Sequence, residues 1–246
     1  MTSLKKHLTI FVSTCDSYSD LWIPFSKCLE KYVDLGCEVI FVSESKKFDK
    51  YQTITPGFLP WGERNLIALN EVKTYYIFWL FEDYFFTKPL KKSVIINYLD
   101  FVINNDLDRL QISPNWQNTD TYSFLNKHQQ SPKFDYKMIA STDPYSVSMQ
   151  PSIWKKDYIK KLLHKNYSPW DFEIKGSLIN SSKKVCIDSS VNKYPYFNAV
   201  RKKRILNLTV LINKVDRLIE KLFYDNKPYK YSKGLKKLIE HEKLNL

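Results

Sequence analysis

The sequence predicts an α/β fold in which a mostly parallel central sheet carries helices on both faces, as a three-layer sandwich. Runs of β-branched and aromatic residues alternate with helical periodicities along the first two-thirds of the chain. One run, Tyr75–Phe81, is apolar throughout, which is typical of a central strand covered on both faces. Hydrophobic residues make up 43% of the chain, so the sequence can build a substantial core.

The predicted elements follow one another in the order β-α-β-α-β-α-β. Strand Leu8–Thr14 leads into a helix over Asp20–Val33, in which apolar residues recur at helical spacing until Gly36 ends the pattern. The next predicted elements are a strand over Cys37–Ser43, a helix from Pro60 to about Lys73, the strand Tyr75–Phe81, a helix opened by Pro89 and a strand over Leu107–Ile112. The pattern then predicts a long polar loop over Ser113–Ala140, a strand over Tyr145–Gln150 and a helix over Ile153–His164.

The net charge of +12 is concentrated near the C-terminus. Between Arg201 and Leu246 there are 13 Lys and Arg against 5 Asp and Glu, and the apolar residues of this segment recur at helical spacing. We therefore expect a main domain over 1–200 and a basic, amphipathic helical extension over 201–246. Such an extension could pack on its own domain or lie on an anionic membrane.

Composition argues against several other classes of protein. The chain has 5 Gly and contains neither GxGxxG nor a P-loop motif, so a Rossmann dinucleotide site or a P-loop nucleotidase is not expected. The 4 Cys form no CxxC pair and the 4 His form no closely spaced pair, which argues against disulfides and against zinc. No apolar run is long enough for a signal peptide or a membrane span. We expect a cytoplasmic protein, peripheral at the inner face of the plasma membrane if the extension binds lipid.

Two carboxylates, Glu82 and Asp83, directly follow the apolar strand Tyr75–Phe81. Ligands of open α/β sheets bind at the carboxyl ends of the strands, and buried acids require a cationic partner. Carboxylate oxygens suit Mg²⁺ or Mn²⁺ shared with a diphosphate. The alternative is a strand that emerges into solvent with two ordinary surface acids.

A second acidic group lies in the segment Ser168–Glu173. Ser168 and Asp171 fit a helix capping box, with Pro169 at the first helical position. Glu173 has no such local role, and Trp170 supplies an apolar surface that could raise the pKa of a general base. The alternative for Glu173 is an exposed acid on a helix surface.

The segment Ser13–Tyr18 lies at the end of the first predicted strand, where nucleotides commonly bind in α/β sheets. Asp16 could bind a ribose or a base edge. It could equally be a turn or helix-cap residue.

These segments together resemble bacterial nucleotide-sugar glycosyltransferases of the GT-A type that take part in surface-polysaccharide assembly, such as that of O-antigen or capsule. The resembling segments are, in chain order, Ser13–Tyr18 with Asp20–Trp22, Phe81–Phe85, Ser148–Trp154, Ser168–Glu173 and Tyr196–Val200. The resemblance implies a GT-A-like domain that transfers a sugar from a nucleoside diphosphate to a hydroxyl of a polysaccharide or lipid-linked oligosaccharide, with inversion through a carboxylate base.

The resemblance also implies roles for single residues. Glu173 is the expected catalytic base, and Asp171 is the weaker candidate. The expected donor-binding residues are Thr14, Asp16, Tyr18, Glu82, Asp83 and Arg201. The expected acceptor-binding residues are Gln150, Trp154 and Trp170. Glu82 and Asp83 stand where the family's DxD motif binds a divalent metal, Mg or Mn, but Tyr84 replaces the last acid, so Arg201, Lys202 or Arg204 could supply the positive charge instead.

Two other classes of function remain open from the sequence. A non-catalytic protein could bind nucleic acid or another polyanion through the basic extension and the aromatic loops. However, the aromatic residues are not interleaved with Lys and Arg as in stacking grooves, so we expect no nucleic-acid partner. A glycoside hydrolase would also use two carboxylates, but the α/β order lacks an eight-fold repeat.

Overall fold

The computed structural model describes residues 4–113, 134–141, 143, 145–179, 183–187, 195–201 and 204–205. They form two compact units, in each of which the residues contact mainly one another. The larger unit contains the described parts of Met1–Ser19, Leu35–Phe81 and Lys91–Tyr194, and the smaller unit those of Asp20–Asp34, Glu82–Leu90 and Pro195–Leu246.

The strands and helices alternate along most of the chain. The strands are β1 (Leu8–Ser13), β2 (Glu38–Val42), β3 (Gln52–Ile54), β4 (Tyr76–Phe81), β5 (Tyr84–Phe86), β6 (Arg109–Gln111), β7 (Tyr136–Ile139), β8 (Ser152–Lys155), β9 (Lys184–Ile187), β10 (Tyr196–Asn198), β11 (Val200–Arg201) and β12 (Arg204–Ile205). The α-helices are α1 (Leu4–His7), α2 (Trp22–Tyr32), α3 (Trp61–Glu71), α4 (Lys92–Asn104), α5 (Lys156–Leu162) and α6 (Pro169–Leu178), and a 3₁₀ helix covers Asp16–Leu21.

The larger unit is built on an eight-stranded sheet with the order β3-β2-β1-β4-β8-β6-β9-β7. Strands β3, β2, β1 and β4 run parallel to one another, and β6 runs parallel to β9. Strand β8 is antiparallel to both of its neighbours, and β7 is antiparallel to β9. The predicted α/β fold with a mostly parallel central sheet is confirmed, and the sheet is mixed at one side.

Strand β4 is central, as its apolar sequence predicts, because it pairs with β1 on one side and β8 on the other. Its side chains from Ile77 to Leu80 are fully buried, as a strand covered on both faces requires. On one face of the sheet, helices α3, α5 and α6 contribute to a core whose members include Phe11, Ile40, Ala68, Leu69, Trp79, Trp154, Ile159, Leu162 and Phe172.

The prediction of a strand over Tyr145–Gln150 is wrong. This segment is a loop, and strand β8 begins only at Ser152 and extends to Lys155, into the range expected to be helical. The backbone N–H groups of Val147 and Met149 donate to side chains of α6 instead of to a neighbouring strand. The alternating apolar residues therefore do not form a strand here, because these backbone N–H groups are hydrogen bonded to the side chains of Ser177 and Glu173.

Two other local predictions also differ from the structure. The expected polar loop Ser113–Ala140 contains strand β7 near its end, and residues 114–133 lie outside the described residues. The helix expected to open at Pro89 begins at Lys92. The helical apolar residues expected in the C-terminal extension start at Ile205, which instead lies in strand β12, and the others, Leu208 to Leu222, lie outside the described residues.

The smaller unit pairs β5 with β10 in an antiparallel ladder, and helix α2 packs against β5. The rings of Phe25 in α2 and Phe85 in β5 lie 6.5 Å apart. The N–H of Leu90 donates to the carbonyl of Tyr32 at 2.7 Å, which ties the end of this segment to α2. These contacts fix the chain that follows the Glu82–Asp83 turn.

Gly62 gives a direct test of the packing between α3 and the segment before α6. A Cβ atom at Gly62 would lie 2.1 Å from the carbonyl oxygen of His164, a backbone atom that cannot rotate away. We expect Gly62→Ala to lower the free energy of unfolding by about 1–3 kcal/mol through overpacking. Urea denaturation measures this change. Asn70→Ala, at an exposed position of the same helix, is the control and should leave stability within about 0.5 kcal/mol of the parent; equal stability of the two variants would contradict the packing.

Candidate active site

The sequence predicted donor contacts at the carboxyl end of β1, and here the structure places a closed hydrogen-bond cluster. The carboxylate of Asp16 accepts hydrogen bonds from the N–H of Ser45 at 3.1 Å, the hydroxyl of Ser45 at 2.6 Å and the N–H of Lys46 at 3.0 Å. Partial burial raises the pKa of Asp16, but these hydrogen bonds outweigh it and lower the pKa overall. Asp16 therefore fixes the loop that follows β2, and it remains ionised at neutral pH.

An ion pair that the sequence analysis did not select supports this cluster. Arg64, a buried residue of α3, pairs with Glu44 at 2.5 Å. The second carboxylate oxygen of Glu44 accepts from the backbone N–H of Asp16. Arg64 also donates to the carbonyl of Thr14 at 3.5 Å. The sequence offers one signal for it, an arginine on the otherwise apolar side of a predicted helix.

The other two residues predicted here lie in the same segment. Thr14 is buried, and its N–H extends the β1–β2 ladder by donating to the carbonyl of Val42 at 2.9 Å. Tyr18 is half-buried in the 3₁₀ helix. The structure therefore brings Thr14, Asp16 and Tyr18 together at the end of β1.

Glu173 is half-buried on α6, and its carboxylate accepts a hydrogen bond from the N–H of Met149 at 2.7 Å. Burial raises the pKa of Glu173, and the Met149 hydrogen bond and the charge of Arg109 oppose that rise without cancelling it. A partly buried carboxylate with a raised pKa has the properties of a general base. Glu173 is therefore not a freely exposed acid on a helix surface, which was the alternative.

Arg109 holds the loop that positions Glu173, and the sequence analysis did not identify it. Its guanidinium is fully buried over the ring of Trp154, with 4.8 Å from its central carbon to the ring centre. It donates to the carbonyl of Ser146 at 3.2 Å and to the hydroxyl of Ser148 at 3.3 Å. These bonds hold the chain on both sides of Val147, next to the Met149 amide that donates to Glu173. An arginine in a short strand where polar and apolar residues are mixed gave no sequence signal of this role.

The predicted capping box at the start of α6 is confirmed. The hydroxyl of Ser168 accepts from the N–H of Asp171 at 3.1 Å, and the Asp171 carboxylate accepts from the N–H of Ser168 at 3.1 Å. Hydrogen bonds from Ser168, together with the ion pair to Lys175 at 2.9 Å, hold the pKa of Asp171 well below its usual range. Such a carboxylate is a weak base, and Asp171 is occupied at the helix terminus.

The three predicted acceptor residues have different positions. Trp170 is 72% exposed at the first turn of α6, and Gln150 is half-buried in the loop before β8. Trp154 is fully buried, with its ring 6.2 Å from that of Phe172. The expectation that Trp154 contacts an acceptor is therefore corrected, because its ring is enclosed in the core and presents no surface to a sugar.

In the smaller unit, Glu82 and Asp83 form the two-residue turn between β4 and β5. Glu82 is buried, and the carbonyl of Asp83 accepts from the N–H of Ala199 at 2.7 Å. Burial raises the pKa of Asp83 to about 7. A carboxyl group whose pKa is raised by burial is stabilised in its ionised form when a cation binds beside it. Arg201 lies in β11, but the position of its side chain, like residues Lys202 and Lys203, lies outside the described part of the chain.

The predicted metal site can be compared with the donor groups present. Among the described residues, no group of three or more His, Cys, Asp and Glu side chains is arranged to hold a metal ion. Glu82 and Asp83 alone supply two carboxylates, which suits a divalent ion that takes its other ligands from water and from a diphosphate. The donor set therefore fits a substrate-shared metal and not a site made wholly of protein ligands.

Comparison with known proteins identifies the class of fold. No known family profile matches the chain, and no curated protein is similar to it by sequence. Among solved structures, S. aureus TarS 1-349 in complex with UDP-GlcNAc has a TM-score of 0.51 at 14% identity, covering 90% of this chain and 68% of that one. A longer structure of S. aureus TarS has a TM-score of 0.51 at 12% identity, covering 80% of this chain and 37% of that one. Bifunctional IspDF from Campylobacter jejuni has a TM-score of 0.42 at 14% identity, covering 78% of this chain and 52% of that one.

The chain therefore has an α/β fold similar to that of S. aureus TarS 1-349. It spans only part of the longer TarS chain that it matches. Among the residues described, no helix is long and apolar enough to cross a membrane.

The pKa of Asp83 is raised and that of Asp16 is lowered, so the two carboxylates should have opposite effects on folding stability above pH 4. The pKa of Asp83 is raised, so its ionisation opposes folding, and this cost grows as pH rises from 3.8 towards 7. We expect Asp83→Asn to stabilise the protein at pH 8 and to have a smaller effect near pH 4, as measured by urea denaturation.

Asp16→Asn is the matched comparison for that experiment. The pKa of Asp16 is lowered, so its ionised form stabilises the fold above its ordinary pKa of 3.8. Asp16→Asn should therefore destabilise the protein at pH 8. Destabilisation by Asp83→Asn at pH 8 would show that the Asp83 carboxylate is already balanced by a cation in the free protein.

Proposed function

We propose that this protein is a glycosyltransferase that moves one sugar from a nucleoside diphosphate to a hydroxyl of a polysaccharide or lipid-linked oligosaccharide. The observation that carries the proposal is the fold it shares, over 90% of its length, with a TarS structure that binds UDP-GlcNAc. The partly buried carboxylate of Glu173 and the raised pKa of Asp83 support it, because perturbed carboxyls are characteristic of catalytic sites.

In this proposal Glu173 is the general base. It removes the proton of the acceptor hydroxyl as the acceptor oxygen forms a bond to C1 of the donor sugar. The bond between C1 and the phosphate oxygen breaks at the same time, and its electron pair leaves with the nucleoside diphosphate. Attack opposite the leaving group inverts the anomeric centre. The Met149 N–H orients the carboxylate of Glu173, which keeps one oxygen for the acceptor.

The negative charge that builds on the leaving diphosphate must be balanced. Asp83 and Glu82 would hold a divalent ion, Mg or Mn, whose chemistry is to neutralise the phosphate oxygens. Arg201, with Lys202 or Arg204, is the alternative source of positive charge. Thr14, Asp16 and Tyr18 are proposed to contact the nucleoside, in keeping with their place at the carboxyl end of a parallel strand.

The acceptor is proposed to meet the exposed ring of Trp170, since apolar faces of sugar rings pack on aromatic side chains. Gln150 would add a hydrogen bond. The basic extension over 201–246 is proposed to hold the protein at the inner face of the cytoplasmic membrane, where a lipid-linked acceptor would be found.

A donor screen tests the proposed class of enzyme. Purified protein is incubated with UDP- and GDP-sugars, with Mg²⁺ or Mn²⁺ and with a chelator, and release of free nucleotide is measured. A glycosyltransferase slowly hydrolyses its own donor, so one sugar nucleotide should release nucleotide above the others. Release from none of them, together with salt-sensitive binding to labelled oligonucleotides, would instead support a nucleic-acid-binding protein.

Glu173→Gln tests the base. Glutamine keeps the size of the side chain and the oxygen that accepts from Met149, but it cannot take a proton. We expect transfer to fall by at least about 100-fold while donor affinity and thermal stability stay near those of the parent. Asp171→Asn, two residues before the base on the same helix, is the control and should lose stability through the cap with a much smaller loss of rate. Full activity of Glu173→Gln would remove Glu173 from the mechanism.

Asp83→Ala tests the diphosphate contact. Removal of the carboxylate should weaken binding of the nucleoside diphosphate identified in the screen by about 10-fold or more, because a charged contact is lost. Isothermal titration calorimetry, with and without divalent metal, measures the change. Asp34→Ala replaces an exposed acid of the same unit and should bind as the parent does. Unchanged affinity of Asp83→Ala would argue against the Asp83 site.

A further inference from the structure

Helix α6 exposes an apolar stripe that the proposed chemistry does not explain. Trp170 is 72% exposed, Ile174 54% and Leu178 76%. These residues are four positions apart, so they lie on one side of the helix. The opposite side of α6 is the one that enters the core, through Phe172 and Gly176. The stripe therefore occupies the outward face, where a surface helix normally carries polar residues.

More exposed apolar side chains lie in the loop before α3. Phe58 is 81% exposed and Leu59 36%, and Pro60 alone separates them from α3. The first turn of α3 is joined to the segment before α6, since the N–H of Gly62 donates to the carbonyl of Tyr167 at 2.9 Å. The Phe58–Leu59 tip and the N-terminus of α6 therefore flank the same contact.

Helix α5 and the residues after it, which share their core with α6, are basic. Between Lys155 and Lys165 the chain has five lysines and one acid, Asp157. Lys155 pairs with Asp106, and Lys156 donates to a backbone carbonyl. Within the described part of the chain, the remaining three, Lys160, Lys161 and Lys165, have no ion-pair partner. Their charge is available to an anionic surface.

We propose that the α6 stripe, formed by Trp170, Ile174 and Leu178, docks on an anionic lipid membrane. Exposed apolar side chains with a tryptophan among them, together with lysines on a helix that shares the same core, have the composition of a surface that enters the interface of a bilayer. A protein partner is a poorer fit, because a stable interface buries about 800 Å² on each side and some 20–30 residues. Three to five exposed apolar side chains, counted among the residues that the structure describes, fall well short of that.

The residues of this surface belong to the larger unit, and the C-terminal extension contributes none of them. This surface also does not depend on sugar transfer, so the docking proposal and the proposed function can fail separately. If both hold, the ring of Trp170 lies where a lipid-linked acceptor meets the enzyme, which connects membrane binding with acceptor binding through one residue.

Vesicle binding by the full chain tests the proposal. Co-sedimentation is measured with vesicles of phosphatidylcholine alone and with phosphatidylglycerol added. The variant Trp170→Ser/Ile174→Ser/Leu178→Ser should bind anionic vesicles at least 10-fold more weakly than the parent. Tyr75→Ser, which removes a 71% exposed aromatic residue elsewhere in the same unit, should bind as the parent does. Circular dichroism and thermal melting show whether each variant is folded.

A second measurement does not depend on the triple variant. Lipids brominated near the headgroup quench a tryptophan that enters the interface. The parent should be quenched, and Trp170→Phe should lose most of that quenching while still binding. Parent-like vesicle binding by the triple variant would overturn the proposal and assign membrane binding to the extension. Parent-like quenching in Trp170→Phe, or loss of a dimer by the triple variant with no change in lipid binding, would overturn it as well.

Discussion

The buried guanidinium of Arg109 is the constraint on which the proposed catalytic geometry depends. Removing a charge from water costs several kcal/mol, and the cost is offset only when the group is fully hydrogen bonded. Here the offset comes from oxygens of Ser146, Ser148, Ser152 and Gln111 and from the face of Trp154. Two of those oxygens, from Ser146 and Ser148, belong to the loop before β8. The hydrogen bonds that the buried guanidinium requires therefore also hold this loop in place. The same loop presents the Met149 amide to Glu173.

Local sequence signals predicted the parts of the fold that are set locally. The unbroken apolar run gave the central strand β4, and the spacing of Ser168, Pro169 and Asp171 gave the start of α6, because a capping box lies within four residues. The segment Tyr145–Gln150 could not be predicted in this way. Its alternating pattern is that of a strand, and its true partners, Arg109 and Glu173, are distant in the chain.

The candidate site could also be predicted only in part. Carboxylates at the end of an apolar strand could be selected from the sequence, and so could an acid on α6 without a capping role. Their electrostatic state could not, since the raised pKa of Asp83 and Glu173 comes from burial that only the folded chain provides. The ion pair of Glu44 with Arg64 and the enclosure of Trp154 likewise depend on tertiary packing.

The most direct test of the account is a crystal structure of the protein soaked with nucleoside diphosphates, with and without Mn²⁺. The account predicts one nucleotide with its phosphate oxygens held by Asp83, either directly or through the metal ion. Anomalous scattering from Mn²⁺ would locate the ion independently of the nucleotide. A nucleotide bound elsewhere, with the carboxylate of Asp83 in contact with neither phosphate nor metal, would contradict the account.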